Sequence, residues 1–143
     1  MARVDFYVLS QEGPDARLRI ACRLVEKAYD QNLKVYVQTS SQAEAQRLDE
    51  LLWTFNDRAF IPHEINTGNG ASHERVVVLI GEAAAPQSHR QLLINLVNRL
   101  PDDFEHFERV AEIVDVDPEN KRLSRERYKV YRERGCELDT HNL

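Results

Sequence analysis

Five consecutive apolar residues, Val76-Val77-Val78-Leu79-Ile80, break a charge-rich chain without any polar alternation. A half-exposed strand alternates apolar and polar residues, whereas a continuous β-branched run bounded by turn residues suits a strand covered on both faces. That run constrains the chain to a parallel sheet flanked by helices, and its neighbours fit the same frame. With 143 residues, 42% of them hydrophobic and 30% charged, the chain is sized for one domain over residues 1–143 with a real core, and disorder and fibre are excluded.

Val4 to Leu9 reads as a first strand, ended by Ser10-Gln11-Glu12-Gly13. Pro14 suits the first turn of a helix whose apolar face is Leu18, Ala21, Cys22, Val25, Ala28 and Tyr29. Lys34 to Gln38 is a second strand, and Ser41-Gln42-Ala43-Glu44 has capping-box form ahead of Ala45, Leu48, Leu51 and Leu52. An irregular stretch then runs from Trp53 to Thr67-Gly68-Asn69-Gly70. Ser88-His89-Arg90-Gln91 has the form of another capping box, for a helix carrying Leu92, Leu93, Leu96 and Val97 and closed by Pro101. A short helical turn over 102–107 leads to a strand over 109–115. Asp117-Pro118 opens a last helix that Gly135 ends. Strands alternating with helices give an α/β three-layer sandwich around a mostly parallel sheet with helices on both faces.

Sheets of this class bind ligands beyond the carboxyl ends of their strands. The turn after Leu9 lacks closely spaced glycines, no GxxxxGK[ST] occurs, and Gly68-Asn69-Gly70 precedes a strand instead of a helix, so it reads as a loop. The five histidines have no metal-site spacing, no serine sits in a GxSxG elbow, and Asp102-Asp103 after Pro101 suits a helix N-terminus. No cofactor is expected, and an enzyme gains no support. Cys22 and Cys136 are far apart, which suits a reducing compartment. The N-terminus has no signal-peptide form, and no stretch free of Asp, Glu, Lys and Arg exceeds nine residues, so no membrane association is expected.

The net charge of −5 conceals a reversal. Residues 119–134 carry seven Lys and Arg against three Glu, a local +4, leaving −9 for the rest. At about 100° per residue, Lys121, Arg125, Tyr128 and Arg132 share one narrow sector, while Leu123 and Val130 point the other way, with Tyr131 toward that side, and Leu123 and Val130 are expected to pin the helix to the sheet. Cations near a helix C-terminus also suit a plain solvated face. The functional alternative is a dock for an acidic partner, with nucleic acid as a competing and strongly salt-dependent ligand. In the middle of the chain, Trp53, Phe55, Phe60, Ile61 and Pro62 crowd a segment that otherwise reads as loop. They form either a satellite of the core or an apolar patch that a partner covers.

Four segments carry a family resemblance: Val4-Asp5-Phe6-Tyr7-Val8-Leu9, Arg47-Leu48-Asp49-Glu50-Leu51-Leu52-Trp53, Phe60-Ile61-Pro62-His63, and Arg125-Glu126-Arg127-Tyr128-Lys129-Val130-Tyr131-Arg132 followed by Gly135. In that order and spacing the chain resembles the chi subunit of bacterial DNA polymerase III. The resemblance implies a Rossmann-like fold without a nucleotide and a non-catalytic clamp-loader accessory subunit in the cytoplasmic, nucleoid-associated replisome. It implies a psi subunit partner, in a 1:1 heterodimer, at Trp53, Phe60, Ile61 and Pro62. It also implies that Lys121, Arg125 and Tyr128, with Lys129 and Arg132 nearby, hold the acidic C-terminal tail of single-stranded DNA-binding protein, which ends in Pro-Phe. Val116 is the expected apolar wall of that pocket, and DNA is reached only indirectly. Two other readings stay open: a nucleotide-dependent enzyme, and a direct binder of single-stranded nucleic acid.

Overall fold

The computed structural model describes residues 2–13, 15–54, 61–65, 76–83, 85–101 and 103–143. Seven strands, β1 (Arg3–Val8), β2 (Val35–Gln38), β3 (His63–Ile65), β4 (Val78–Gly81), β5 (Leu92–Asn95), β6 (Arg109–Val114) and β7 (Glu137–Asn142), form one sheet in the order β3-β4-β2-β5-β6-β1-β7. Every described pairing is parallel. Among the described residues the α-helices are α1 (Ala16–Asp30), α2 (Gln42–Thr54) and α3 (Pro118–Glu133). The three-layer α/β sandwich expected from the sequence is therefore present, and its sheet is parallel throughout the described strands.

The apolar run reaches its expected environment in its second part: Val78, Leu79 and Ile80 are buried in β4, while Val76 and Val77 precede the strand half-buried, and all four residues of β2 and of β5 are buried as well. On one face, Leu18, Ala21, Cys22, Val25 and Ala28 of α1 and Ala45, Leu48, Leu51 and Leu52 of α2 pack with Val35, Val37, Ile80, Ile94 and Ile113. On the other, Tyr131 of α3 packs with Val4, Phe6, Tyr36, Leu79, Leu93, Phe104, Phe107, Val110 and Val114. Burial of side chains of this size stabilises by about 1.5–3 kcal/mol each relative to exposure, before the entropy of ordering the chain opposes it.

Local signals set the helix ends. The Glu44 amide donates to Ser41 Oγ at 3.1 Å, and Glu44 Oε1 returns to accept from the Ser40 amide at 2.9 Å, one residue earlier than the capping-box spacing predicts. Asp117 Oδ2 accepts from the Asn120 amide at 3.0 Å, Pro118 fills the first turn, and Gly135 takes φ 81° after the helix. Asp15, before α1, adopts φ 60° with no side-chain cap, and Arg47 of α2 holds its carboxylate at 2.6 Å.

Two expectations are corrected, and a strand appears where the sequence carried no expectation. The segment read as a helix from Ser88 to Pro101 is a single 3-10 turn, Gln87–His89, followed by β5. Leu92, Leu93 and Ile94 lie between β2 and β6 with both faces covered, so the same apolar residues that mimic a helical stripe serve a buried strand. The irregular stretch after Trp53 contains the short edge strand β3. Finally, the residues after Gly135 form β7, whose sequence Glu-Leu-Asp-Thr-His-Asn is polar; a half-covered edge strand has little apolar surface to announce it. Pro14, Gly68-Asn69-Gly70, Phe55, Phe60 and Asp102 lie outside the described residues.

Candidate functional site

Sheet register determines what lies beneath α3. Asn95, Glu112, Phe6 and Thr140 are successive partners across β5, β6, β1 and β7, one row through four strands. The Glu112 end of this row is closed. Asn95 Nδ2 donates to both carboxylate oxygens at 3.0 and 3.1 Å, the Tyr131 hydroxyl donates at 2.6 Å, and Arg127 Nε lies 3.2 Å from Oε1. Glu112 is wholly buried, and that burial pushes its carboxyl up, against the pull of Arg127 and the hydroxyl and amide donors. Burial, with the Glu112 charge beside it, likewise raises the Tyr131 phenol.

The Phe6–Thr140 end of the row is open. Phe6, Val8 and Val114 of the sheet, with Thr140 of β7, face Lys121, Ser124, Arg125 and Tyr128 of α3 across a cleft of about 270 Å³. The Tyr128 ring stands 5.4 Å from that of Phe6, tilted 53°. The cleft thus has an apolar floor and a cationic lip.

The lip's charges are free to act. Arg122 is held by Glu119 and Glu126 at 2.6 and 3.0 Å, Arg127 by Glu112, and Arg134 by Glu105. Among the described residues, no ion pair engages Lys121, Arg125, Lys129 or Arg132. Lys129 and Arg132 are exposed farther along α3 and do not line the cleft. So four of the seven cations of this segment are unspent, and they are the sequence-predicted set.

Two predicted details change. Leu123 and Val130 are only half-buried, while Ser124, Arg127 and Tyr131 form the packed face of α3. Val116 is not a wall of the cleft: it packs against the α1 and α2 side of the sheet and lines a separate crevice of about 300 Å³. Val8 and Val114, which the sequence reading did not single out, supply the wall instead. Their place in strands β1 and β6 was legible, but their face followed only from register.

The crevice containing Val116 opens at the carboxyl ends of β1 and β6, where a sheet of this kind takes a nucleotide. Glu12, Asp15, Glu44, Asp115 and Asp117 line it, and Arg17 is already engaged by the Leu96 carbonyl at 2.6 Å, Glu44 at 3.1 Å and Asp115 at 3.6 Å. A phosphate entering there meets carboxylates first. Elsewhere, Asp5, Asp139 and His141 bring three ligand-type atoms within 4.8 Å of one another, but Arg3 lies 3.5 and 3.0 Å from the two carboxylates, where a divalent cation would sit.

The second predicted site divides. Trp53, on the last turn of α2, is 55% exposed and its ring lies 4.7 Å from that of His63. The His63 Nδ1 lies 2.6 Å from the Ile61 carbonyl oxygen, and its Nε2 lies 3.3 Å from an Asp49 carboxylate oxygen. Ile61 is 4% exposed and belongs to the core, so its side chain is not displayed to a partner; Pro62 is half-buried.

Comparison with known proteins follows the same lines. A family model described as "DNA polymerase III chi subunit, HolC" matches residues 1–139. A DNA polymerase III subunit chi of Pseudomonas aeruginosa is 41% identical over 143 residues, covering 100% of this chain and 98% of that protein. The subunits of the same name from Haemophilus influenzae and Escherichia coli K12 are 30% and 29% identical, covering 97% and 98% of this chain and 96% and 97% of theirs. Among solved structures, T4 UvsW superposes with a TM-score of 0.70 over 99% of this chain at 9% identity; the chain spans 42% of UvsW, and the likeness shows the fold alone.

Proposed function

From the premise that the chain belongs to the family of DNA polymerase III chi subunits, we propose that it is a non-catalytic adaptor of the replicative polymerase that binds the acidic C-terminal tail of single-stranded DNA-binding protein. The observation that carries this reading is that α3 borders an apolar cleft with Lys121 and Arg125 and carries Lys129 and Arg132 beyond it, four cations without ion-pair partners among the described residues.

A tail ending in Pro-Phe matches both parts. Its terminal ring fits over Phe6, Val8 and Val114 beside Tyr128, its terminal carboxylate pairs with Arg125 and Lys121, and its upstream aspartates are drawn to Lys129 and Arg132. A short peptide in a cleft this small implies micromolar binding, roughly −8 kcal/mol, raised on DNA because many tails surround one assembly. The second contact in this reading is the psi subunit of the clamp loader, in a 1:1 heterodimer, with Trp53 as the displayed anchor and Phe60 and the half-buried Pro62 as the further residues that the family resemblance implies. DNA is then reached only through the tail-bearing protein, in the cytoplasmic replisome.

Calorimetric titration with an aspartate-bearing peptide ending in Pro-Phe tests the first contact. Binding that disappears in Arg125→Ala, and again when the terminal Phe is deleted, is expected. Equal binding in both would overturn the reading. The acidic lining of the strand-end crevice weighs against a nucleotide-dependent enzyme, and the −9 outside the last helix weighs against direct nucleic-acid binding.

A further inference from the structure

The packed face of α3 carries the Tyr131 ring but not the helix's aliphatic pair, Leu123 and Val130, and it buries Ser124 and Arg127 beside that ring. Leu123 and Val130 share one side of the helix, yet both stay half-buried, while Ser124, Arg127 and Tyr131, displaced by about 90° on the helical wheel, lie against the sheet. Apolar packing is non-directional, and a smaller rotation would keep the Tyr131 ring covered while turning Leu123 and Val130 inward in place of Ser124 and Arg127. Something directional holds the other rotation.

Glu112 is the directional element. It lies at the centre of the sheet face under α3, and two of its three side-chain partners, Tyr131 and Arg127, belong to that helix. The third, Asn95, fixes the carboxylate from the neighbouring strand through both oxygens. The next residue in the same row is Phe6, whose ring contacts Tyr131 at 6.0 Å and Tyr128 at 5.4 Å. A rotation that broke the Glu112 contacts would carry Tyr128 off Phe6, and Lys121 and Arg125 away from Thr140.

We propose that Glu112 is the positioning residue of the cleft, selecting the rotation of α3 that faces Lys121, Arg125 and Tyr128 toward Phe6 and Thr140. Its consequence for binding rests on the tail-binding reading above; the rotation itself is measurable without any ligand. A buried polar contact that selects one register at some cost in stability is the best-attested use of such groups.

The test compares E112L/R127M, which removes the buried pair without stranding either charge, with E112Q/R127M, which keeps an acceptor for Tyr131. Nuclear Overhauser contacts between the Tyr128 and Phe6 rings report the rotation, and titration with the Pro-Phe peptide reports binding. E112L/R127M is expected to remain folded, lose the ring contacts and bind about tenfold more weakly, the equivalent of one charge-assisted contact, while E112Q/R127M keeps both properties. Should E112L/R127M fail to fold, Tyr131→Phe, which removes only the hydroxyl, gives the same test with the same expected direction. Folded variants that retain the ring contacts overturn the proposal. Loss of the contacts in a protein whose wild type never binds the peptide sinks the tail-binding reading and leaves the positioning role standing.

Discussion

The ring of Tyr128 stands 5.4 Å from that of Phe6 and tilted by 53°, so the last helix and the first strand meet through two aromatic faces at the edge of an open cleft. Tilted pairs at this distance add about 0.5–1.5 kcal/mol beyond the area they bury. The contact gives the cleft a rigid apolar corner next to Arg125 and Lys121.

Charge outside the cleft should affect binding differently from charge at its lip. Lys129 and Arg132 are exposed and without ion pairs among the described residues. Reversing both to Glu is expected to leave the protein folded, with a small fall in melting temperature from acidic charge at the helix C-terminus, while slowing tail-peptide association and flattening its salt dependence. Stopped-flow association at several salt concentrations checks this; an unaltered salt dependence would mean that the tail does not pass these residues.

The buried pair predicts a pH signature. Arg127→Met alone leaves Glu112 buried without its countercharge and should destabilise by about 3–5 kcal/mol at neutral pH. Burial already holds the Glu112 carboxyl above its ordinary value, and Arg127 opposes that shift. Losing Arg127 raises it further. A raised carboxyl favours the protonated form in the folded state, so the variant's deficit is full above the raised value and shrinks as pH falls toward the ordinary carboxylate range. Denaturant unfolding of both proteins between neutral pH and pH 5 should show the gap narrowing; a constant or widening gap contradicts it.

The aromatic segment should separate into display and core. Trp53→Ala is expected to leave stability and tail-peptide binding intact while abolishing co-purification with psi, because the ring is 55% exposed. Ile61→Ala is expected to cost about 2–5 kcal/mol of stability, as deletion of a buried side chain does. Thermal melts and co-expression pull-downs of the two variants distinguish these outcomes, and an Ile61→Ala protein as stable as wild type would place that side chain outside the core.

Both thiols should be sluggish. Burial pushes Cys22 up to about 12 and raises Cys136, which is only partly covered. Because the thiolate is the nucleophile, iodoacetamide at pH 8 should modify Cys136 slowly and Cys22 only on unfolding. Rapid labelling of Cys22 in the native protein would contradict its burial.

Much of this architecture was legible in the residues. Val78 to Ile80 declared a doubly covered strand, and Asp117-Pro118 with Gly135 marked both ends of the last helix. The same kind of apolar run misled at Leu92 to Asn95, because four buried residues next to a capping-box look-alike fit a helix or a strand equally well. Lys121, Arg125 and Tyr128 were legible as a sector of one helix, since periodicity alone groups them. What they face was not. Phe6, Val8, Val114 and Thr140 come from three strands whose adjacency depends on sheet order, and the rotation of α3 depends on Glu112, a charged residue in the middle of an apolar strand pattern. Reading Leu123 and Val130 as the packed face followed from counting apolar residues, and the buried carboxylate outweighs that count.

Amide chemical-shift mapping during titration with the aspartate-bearing Pro-Phe peptide tests tail binding at the cleft most directly. Saturating shifts confined to Phe6, Val8, Lys121, Arg125, Tyr128 and Thr140, with Lys129 and Arg132 following, are predicted. Shifts centred on Arg17, Asp115 and Val116 instead, or no saturable shifts at low salt, would contradict it.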